Sequence, residues 1–369
     1  MMKYSKHLLI KKNTFNFFIM AFALVLLSII YFLFFTTSFF SNNLFNLSAI
    51  NWHDHEIYVY YIDLVSNSDW SLEINNNTGI AIIYFLLSFI SPSFLLDENY
   101  LYLSLITNIL VLILIFFLYN RFCDKFNLPS RAKYFLFWYF PLIYFCQLIN
   151  KDIFTILAFL FILNFSIVRP KFYSIFLILI LVPFLMLIRL QLVVFALIFL
   201  ILLYSKHFKL NLFFIYCMTS ISAAWLSIHG GYIEEETFGS GMTAFLRSWN
   251  LNYSYTGFLI FNPIRVFQYL QAMYMSFIFI DEGRLDWARL LNIPSILILS
   301  FYWRYIVKVF LNLRFYLKTN LRPLIILVIS FLITWLMNPT VNIRYVMLVV
   351  PFLILLGVAV KHRKLGKEN

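Results

Sequence analysis

Residues 15–35 read FNFFIMAFALVLLSIIYFLFF, an apolar run that no charged residue interrupts. About 20 consecutive apolar residues are enough for one α-helix to cross the hydrocarbon core of a bilayer. The run follows Lys3, Lys6, Lys11 and Lys12, and it is longer than the apolar core of a secretory signal peptide. We therefore predict that it forms a first transmembrane helix, which is retained in the protein.

The rest of the 369-residue chain has the same apolar character. Hydrophobic residues make up 63% of it and charged residues only 12%, and its mean hydropathy is +0.86. A soluble domain carries about twice this share of charged residues. Stretches such as Phe176 to Met186 are uniformly apolar and do not alternate as the strands of a membrane barrel do. The sequence thus predicts an all-α polytopic membrane protein, with residues 1–369 forming a single integral membrane domain.

The positive charges predict the membrane topology. The chain has 28 Lys and Arg and a net charge of +12, and these residues cluster at the ends of apolar runs. Clusters of this kind are typical of cytoplasmic loops, so a nucleic-acid partner is not predicted. If every cluster is cytoplasmic, each interval between two clusters crosses the membrane an even number of times. This parity predicts about ten transmembrane helices, both termini in the cytoplasm and five apices on the outer side.

Two of the outer segments are long, at about residues 37–98 and 229–286, and they form the predicted active-site face. Each contains an apolar stretch that would make the number of membrane crossings odd if it spanned the bilayer. These stretches are Gly79 to Leu96 and Phe258 to Ile280. We predict that these two parts are re-entrant or interfacial helices. Of the 16 acidic residues, 14 fall on the predicted outer side. Because the acidic residues were not used to assign the topology, they support it.

Every predicted outer apex carries charged residues that membrane insertion does not require. Ionisable groups at the edge of the hydrocarbon are costly and often functional. A carboxylate can take the proton of an attacking hydroxyl. Guanidinium groups can hold a diphosphate and stabilise it as it leaves. In chain order these residues are Asp54 and Glu56, Lys151 and Asp152, Arg189, Arg247 and Arg265, and Arg344.

The first apex also raises the alternative of a metal site. Residues 53–56 read HDHE, and in an extended segment both histidines would share one face and both carboxylates the other. Zinc or a hard divalent cation binds such ligands. No second histidine cluster supports the site, and Cys123, Cys146 and Cys217 have no paired spacing. The predicted active site therefore contains no metal.

The first predicted span is followed by the acidic apex, a tyrosine-rich stretch and an apolar interfacial helix. The residues that define this order are Asp54, Glu56, Tyr58, Tyr60, Tyr61 and Gly79. The order resembles that of the membrane glycosyltransferases of the GT-C type. The resemblance implies a GT-C-like fold, a polyprenyl-linked sugar as substrate, and a second catalytic carboxylate in the next outer loop, where Asp152 lies.

Two further short motifs are Asn150-Lys151-Asp152 and Asn342-Ile343-Arg344-Tyr345 before a span with Pro351. In these motifs, in its size and in its Phe, Ile, Tyr and Asn bias, the chain is also similar to bacterial surface-polysaccharide polymerases of the Wzy and EpsG-like group. In that group, arginines of the outer loops are implicated in holding the lipid-linked glycan. By position this role carries over to Arg189, Arg247, Arg265 and Arg344, and we add Lys151 to the predicted substrate-binding residues.

The function that the resemblance implies is polymerisation of undecaprenyl-diphosphate-linked oligosaccharide repeat units into a surface polysaccharide, such as lipopolysaccharide O-antigen or capsule. The enzyme would act at the outer face of the bacterial inner membrane. Its expected partners are the lipid-linked oligosaccharide, the bilayer and a chain-length regulator, and it needs no cofactor. One alternative is a GT-C enzyme that moves a single sugar from a polyprenyl-phosphate donor, with a divalent metal. Another is a flippase or transporter, which needs polar groups at the membrane midplane.

Overall fold

The computed structural model describes residues 2–37, 50–67, 77–97, 99–168, 170–229, 242–281, 284–335 and 343–365. Helices account for nearly all of these residues, and two-residue strands β1 (Ile280–Asp281) and β2 (Arg284–Leu285) pair antiparallel. A π-helical turn lies at Phe32–Thr36, and 3-10 turns lie at Ser93–Leu95, Phe135–Trp138 and Asn262–Ile264. The α-helices are α1 (Met2–Tyr31), α2 (Trp52–Ser66), α3 (Thr78–Ile90), α4 (Leu101–Lys125), α5 (Ser130–Tyr134), α6 (Pro141–Phe145), α7 (Lys151–Ser166), α8 (Lys171–Ile180), α9 (Val182–Ile188), α10 (Leu190–Tyr204), α11 (Phe208–His229), α12 (Met242–Phe261), α13 (Arg265–Met275), α14 (Trp287–Leu311), α15 (Leu313–Tyr316), α16 (Arg322–Trp335) and α17 (Ile343–Leu365).

Six helical segments in the described part of the chain are long and apolar enough to cross a membrane. This agrees with the predicted class, an all-α polytopic membrane protein. The figure of about ten spans remains a prediction, because several further apolar helices are shorter than a bilayer requires. The six segments are Phe17–Thr36, Leu101–Lys125, Lys171–Ile188, Phe208–Leu226, Trp287–Leu311 and Ile343–His362.

The surface of these segments carries large apolar side chains. Phe18 and Phe22 of α1 are exposed, as are Phe213, Phe214 and Met218 of α11. Exposing apolar side chains of this size to water costs free energy, whereas exposing them to lipid tails does not. The exposed apolar surface therefore fits a chain that faces the bilayer along most of its length.

The core lies where α7, α10, α16 and α17 meet. Phe159 of α7 is fully buried, and four aromatic rings surround it at centroid distances of 4.7 to 5.9 Å. These rings belong to Phe195, Phe331, Trp335 and Phe352. Tight aromatic packing holds these helices in a fixed register, and α7, α10 and α17 each carry a charged residue of the predicted site at or next to the N-terminus.

The chain between Lys133 and Asn150 differs from its prediction. Two crossings between the basic residues Lys133 and Arg169, with an apex at Lys151, predict a short apolar helix in this segment, but the structure shows α5, a 3-10 turn and α6 in succession. Pro141 has no backbone N–H to continue a helix, and Leu148 has a positive φ of 56°. Asn108 of α4 fixes the end of this segment, because its Nδ2 donates to the carbonyl oxygens of Cys146 at 3.2 Å and Leu148 at 2.6 Å.

Two elements have the proportions predicted for re-entrant or interfacial helices. Helix α3 has 13 residues, so its length is about 20 Å, less than the thickness of a bilayer core. In the second outer segment, α13 exposes Phe267 and Tyr274 and buries Tyr269 and Met273. A helix with one apolar exposed side and one buried side can lie along a membrane surface, and the membrane placement of both helices stays a prediction.

Helix α3 approaches α9 through a glycine. A Cβ atom built on Gly79 would overlap the backbone carbonyl group of Leu187, and Leu187 precedes Arg189 by two residues. A backbone atom cannot swing aside as a flexible side chain can. Gly79 therefore sets how closely α3 packs against the segment that carries Arg189.

We expect Gly79→Ala to lower the free energy of unfolding by about 1–3 kcal/mol, the usual cost of forcing a methyl group into a packed contact. The measurement is the thermal unfolding of the purified protein by intrinsic fluorescence. Leu86→Ala is the matched control, because Leu86 lies on the same helix and is exposed. An unchanged unfolding temperature for Gly79→Ala would contradict the close approach.

Candidate active site

The acidic apex is helical rather than extended. Helix α2 begins at Trp52, and Asn51 precedes it and donates from Nδ2 to the carboxylate of Asp54 at 2.9 Å. Successive helical residues are about 100° apart, so Asp54 and Glu56 point to opposite sides of α2. The extended segment assumed for a metal site at residues 53–56 is therefore wrong, and the exposed Glu56 is not brought together with Asp54.

Asp152 lies in the first turn of α7, where Asn150 caps the helix. The backbone N–H of Asp152 donates to the Asn150 side-chain oxygen at 2.9 Å. A carboxylate is favoured at a helix N-terminus by the helix dipole. The Asp152 side chain is 0% exposed, and a buried carboxylate needs cationic partners. Two arginines supply them.

The first partner is Arg189, which lies between α9 and α10. Its backbone is extended (φ −162°, ψ 131°) and separates the two helices at the position of the predicted apex. Its side chain is 2% exposed, and Nη2 donates to the Asp152 carboxylate. The guanidinium carbon lies 5.2 Å from the centroid of the Tyr345 ring.

The second partner is Arg344, the second residue of α17. Its Nε donates to the Asp152 carboxylate, and its Nη1 donates to the Asp54 carboxylate at 2.6 Å. Arg344 thus joins two acidic residues that are almost a hundred positions apart in sequence. Asp54, Asp152, Arg189 and Arg344 form what we call the charge cluster, and they come from four separate predicted outer apices.

Lys151 lies beside this cluster. Its Nζ donates to the side-chain oxygen of Asn77 at 3.0 Å and lies 5.5 Å from the centroid of the Tyr58 ring. Burial, followed by the charge of Arg189, lowers the pKa of Lys151 from 10.5 to about 7. The cluster itself has two carboxylates and two guanidinium groups. Lys151 therefore adds a net positive charge at acidic pH and loses it as the pH rises through neutrality.

The two carboxylates of the cluster differ in access. The Asp54 side chain is 31% exposed, whereas Asp152 is fully covered. Burial tends to raise the pKa of Asp54, but Arg344 and Asn51 outweigh it and hold the pKa below its ordinary value. Asp54 is therefore ionised at neutral pH and is the carboxylate of the cluster that a substrate can reach.

Two buried donors of the site have no acceptor among the described residues. They are Nε of Arg189 and Nδ2 of Asn150. Leaving a buried donor unpaired costs about 1–3 kcal/mol, and such groups call for an explanation in a folded protein. Both lie next to Asp152, where an anionic or oxygen-rich ligand would supply the acceptors.

Two predicted substrate-binding residues are not placed. Arg247 lies in α12 and Arg265 begins α13, but their side chains are outside the described part of the structure. Among the described residues, no group of three or more His, Cys, Asp or Glu side chains is arranged to hold a metal ion.

Several polar residues support the site in ways that were not predicted from sequence. His55 is buried, and its Nδ1 accepts from the backbone N–H of Ile149 at 3.1 Å. Burial lowers the pKa of His55 to about 4, so the ring is neutral and can accept this bond. The side-chain oxygen of Asn77 accepts from Lys151. Separately, the side-chain oxygen of Asn108 accepts from the hydroxyl of Tyr84 at 3.2 Å. The sequence did offer one signal for these two asparagines, because isolated polar residues in an apolar chain are often functional.

The arrangement combines a reachable, ionised carboxylate with guanidinium donors and a lysine whose pKa is near neutrality. Such a set can accept a proton from a hydroxyl and hold a phosphate group. The chain matches no protein-family model, no curated protein and no solved structure.

Proposed function

We propose that this chain is a glycosyltransferase of the bacterial inner membrane that polymerises undecaprenyl-diphosphate-linked repeat units into a surface polysaccharide. The observation that carries the proposal is the charge cluster. Four apolar-helix ends that are far apart in sequence bring two carboxylates and two arginines together at hydrogen-bonding distance. Membrane insertion does not require this convergence, whereas transfer of a sugar from a diphosphate requires both a base and cationic donors.

The proposal includes a topology of about ten spans with both termini in the cytoplasm. The six long segments supply six of them, and the shorter α7, α10 and α16, together with the broken segment 130–149, complete the count. Helices α7 and α10 support this arrangement. Each has a residue of the charge cluster at or next to its N-terminus, and each ends beside a predicted cytoplasmic loop, before Lys171 and Lys206 respectively.

In the proposed mechanism the substrate itself frees the base. Asp54 is ion-paired with Arg344 before the substrate binds, and a carboxylate in an ion pair is a weak base. The diphosphate of the growing chain takes over the Nη1 donor of Arg344, because a phosphate oxygen is an equivalent acceptor. The pKa of Asp54 then rises, and its carboxylate turns to the hydroxyl of the incoming repeat unit.

The transfer forms one glycosidic bond and breaks the bond between the growing chain and its diphosphate. A hydroxyl oxygen of one repeat unit bonds to the anomeric carbon of the growing chain, and its proton passes to Asp54. The bond between that carbon and the diphosphate oxygen breaks, and undecaprenyl diphosphate leaves with the electron pair. Arg344 and Arg189 stabilise the charge that develops on the leaving group, and Lys151 adds attraction for the diphosphate. Asp152 touches neither reactant and holds the two guanidinium groups in place.

The proposal is tested with the cell that makes this protein. We expect deletion of its gene to leave single repeat units on the lipid carrier, visible as one band where the parent strain gives a ladder. The purified protein, added to the lipid-linked repeat units extracted from the deletion strain, should rebuild the ladder. A truncated repeat unit in the deletion strain, or no ladder in the purified reaction, would overturn the proposal.

A second candidate is the GT-C enzyme that transfers one sugar from a polyprenyl phosphate. It is favoured by one contact, since Arg344 brings together Asp54 and Asp152, the carboxylates of the first and second predicted outer apices, and the GT-C layout has a carboxylate in each of these two loops. The same purified reaction with EDTA separates the two. We expect polymerisation to survive EDTA because arginines supply the positive charge. Loss of activity with EDTA and recovery with Mg²⁺ or Mn²⁺ would favour the single-sugar enzyme.

We expect kcat/KM to fall as the pH rises through about 7, by up to about tenfold per pH unit. The pKa of Lys151 is about 7 in the free protein. A lysine is charged below its pKa and neutral above it, so the attraction for the diphosphate is present on the acid side and lost on the alkaline side. The measurement is the rate of ladder formation at low substrate concentration from pH 5.5 to 9.

Lys151→Arg is the control for this pH dependence, because arginine stays charged throughout the range. We expect the variant to lose the decline above neutrality. A rate that instead increases through pH 7 would show that neutral Lys151 acts as a base, contrary to the role proposed here.

A further inference from the structure

A large cavity lies at the far end of α7 and α10 from the charge cluster. Its volume is about 810 Å³. Helix α7 has 16 residues, so about 24 Å separates its two ends. The cavity is therefore a second site, and its lining comes from the C-terminal ends of α4, α7 and α10 and the N-terminal ends of α8 and α16.

The charges of this lining are all positive. Lys125, Lys171, Lys206 and Arg322 line the cavity, and no acidic residue does so among the described residues. Asp124 is the neighbour of Lys125 in sequence, but it is ion-paired with Lys133 at 2.6 Å. None of the four cations forms an ion pair with a described residue. Four cations around one concave space repel one another, and an anion would relieve this repulsion.

A neighbouring concavity extends the positive surface. It has a volume of about 650 Å³ and shares Ser205, Lys206 and Arg322 with the first. It adds Lys209, Arg314 and Lys318 to the basic lining, again without an acidic residue among those described. The two concavities together present seven basic side chains from four parts of the chain.

Membrane topology alone predicts basic residues at the cytoplasmic ends of helices. That role depends on how many basic residues a loop carries, and it does not require their side chains to meet. Here they converge on one space, and Arg322 is also held in place. Its Nη2 donates to the carbonyl oxygens of Ser205 at 3.1 Å and Leu202 at 3.3 Å. The Nζ of Lys171 lies 6.0 Å from the centroid of the Tyr204 ring, and the Tyr204 hydroxyl donates to Ser174 at 2.7 Å. These contacts order the wall of the cavity.

We infer that this cavity binds a phosphate ester, the head group of an anionic phospholipid or a soluble phosphate of similar size. Basic pockets between helices on the cytoplasmic side of membrane proteins bind anionic head groups. The cavity is large enough for a glycerophosphate group, and it is bounded by apolar helix ends from which acyl chains can continue into the bilayer. This inference is independent of the function proposed for the charge cluster.

The test measures binding to the intact protein in a phosphate-free detergent after the native lipid has been washed away. Short-chain phosphatidylglycerol is titrated by native mass spectrometry, with short-chain phosphatidylcholine for comparison. Glycerol 3-phosphate is titrated in a separate thermal-unfolding assay. The variant is Lys171→Gln combined with Lys206→Gln, since both side chains are exposed and the thermal-unfolding assay checks that the fold is kept. The control is Arg121→Gln combined with Lys308→Gln, exposed basic residues that do not line the cavity.

We expect phosphatidylglycerol to bind more tightly than phosphatidylcholine and the cavity variant to bind it roughly tenfold to thirtyfold more weakly. The control should bind as the unmodified protein does. Stabilisation by glycerol 3-phosphate that the cavity variant loses, without a preference for phosphatidylglycerol, would identify a soluble phosphate as the ligand. Equal binding of both lipids together with no effect of glycerol 3-phosphate would overturn the inference, as would equal weakening in both variants.

Discussion

Asp54→Asn should lower the rate of polymerisation by about a hundredfold to ten-thousandfold, the usual contribution of a general base. The amide keeps the size of the carboxylate but cannot accept the hydroxyl proton. The protein should still accumulate in the membrane, because Asp54 is partly exposed and Asp152 keeps Arg344 paired. The rate is measured with the purified variant and lipid-linked repeat units, and the protein level by immunoblot of membranes.

Glu56→Gln is the matched control, since it makes the same chemical change on the opposite, exposed side of α2. We expect it to polymerise at the unmodified rate. Full activity in Asp54→Asn would remove Asp54 from the mechanism. Equal losses of activity in the two variants would show that the effect is not specific to the Asp54 carboxylate.

Asp152 cannot be tested in the same way. It is fully buried and is the partner of the almost fully buried Arg189. Removing one member of a buried ion pair leaves the other charge uncompensated and costs about 3–5 kcal/mol. An inactive Asp152→Asn protein would therefore reflect misfolding as readily as lost chemistry. The different burial of the two carboxylates is the reason that the proposed mechanism uses Asp54 as the base and Asp152 as a positioning residue.

The members of the charge cluster could be predicted from sequence because the chain is so apolar. In such a chain, a charge at a helix end stands out, and parity puts Asp54, Asp152, Arg189 and Arg344 at apices on the same side. Their pairing could not be predicted. Which carboxylate meets which arginine depends on the packing of α7, α10 and α17 around Phe159, and those contacts are between residues distant in sequence.

The local backbone was the less predictable part. The alternation at residues 53–56 fits an extended strand, yet the segment is helical, because α2 buries Tyr58, Ile62 and Val65 at helical spacing. The end of the segment between Lys133 and Asn150 is fixed by Asn108 of α4, which bonds to the carbonyl oxygens of Cys146 and Leu148 from 38 and 40 positions away. Asn108 stands out as a polar residue in an apolar helix, but nothing in the sequence of residues 133–150 shows that it bonds to them.

Arg344→Lys and Arg189→Lys should each slow polymerisation roughly tenfold to a hundredfold. A guanidinium group donates from several nitrogens at once, and Arg344 uses Nε for Asp152 and Nη1 for Asp54. A lysine ammonium keeps the charge but cannot reproduce this fork. Losing one charge-assisted hydrogen bond costs about 1.5–3 kcal/mol, which corresponds to the stated loss of rate. The products should be mostly unpolymerised single repeat units on a gel.

Arg304→Lys is the control, because Arg304 is an exposed arginine of α14 outside the cluster. It should give the normal ladder. The charge is preserved in all three variants, so each should insert and accumulate normally, and immunoblots of the membranes check this. If Arg344 and Arg189 served only to anchor helix ends at the membrane surface, lysine would serve equally well. Normal chain lengths in both cluster variants would therefore refute the diphosphate contact and leave Asp54 without the partner whose release makes it a base.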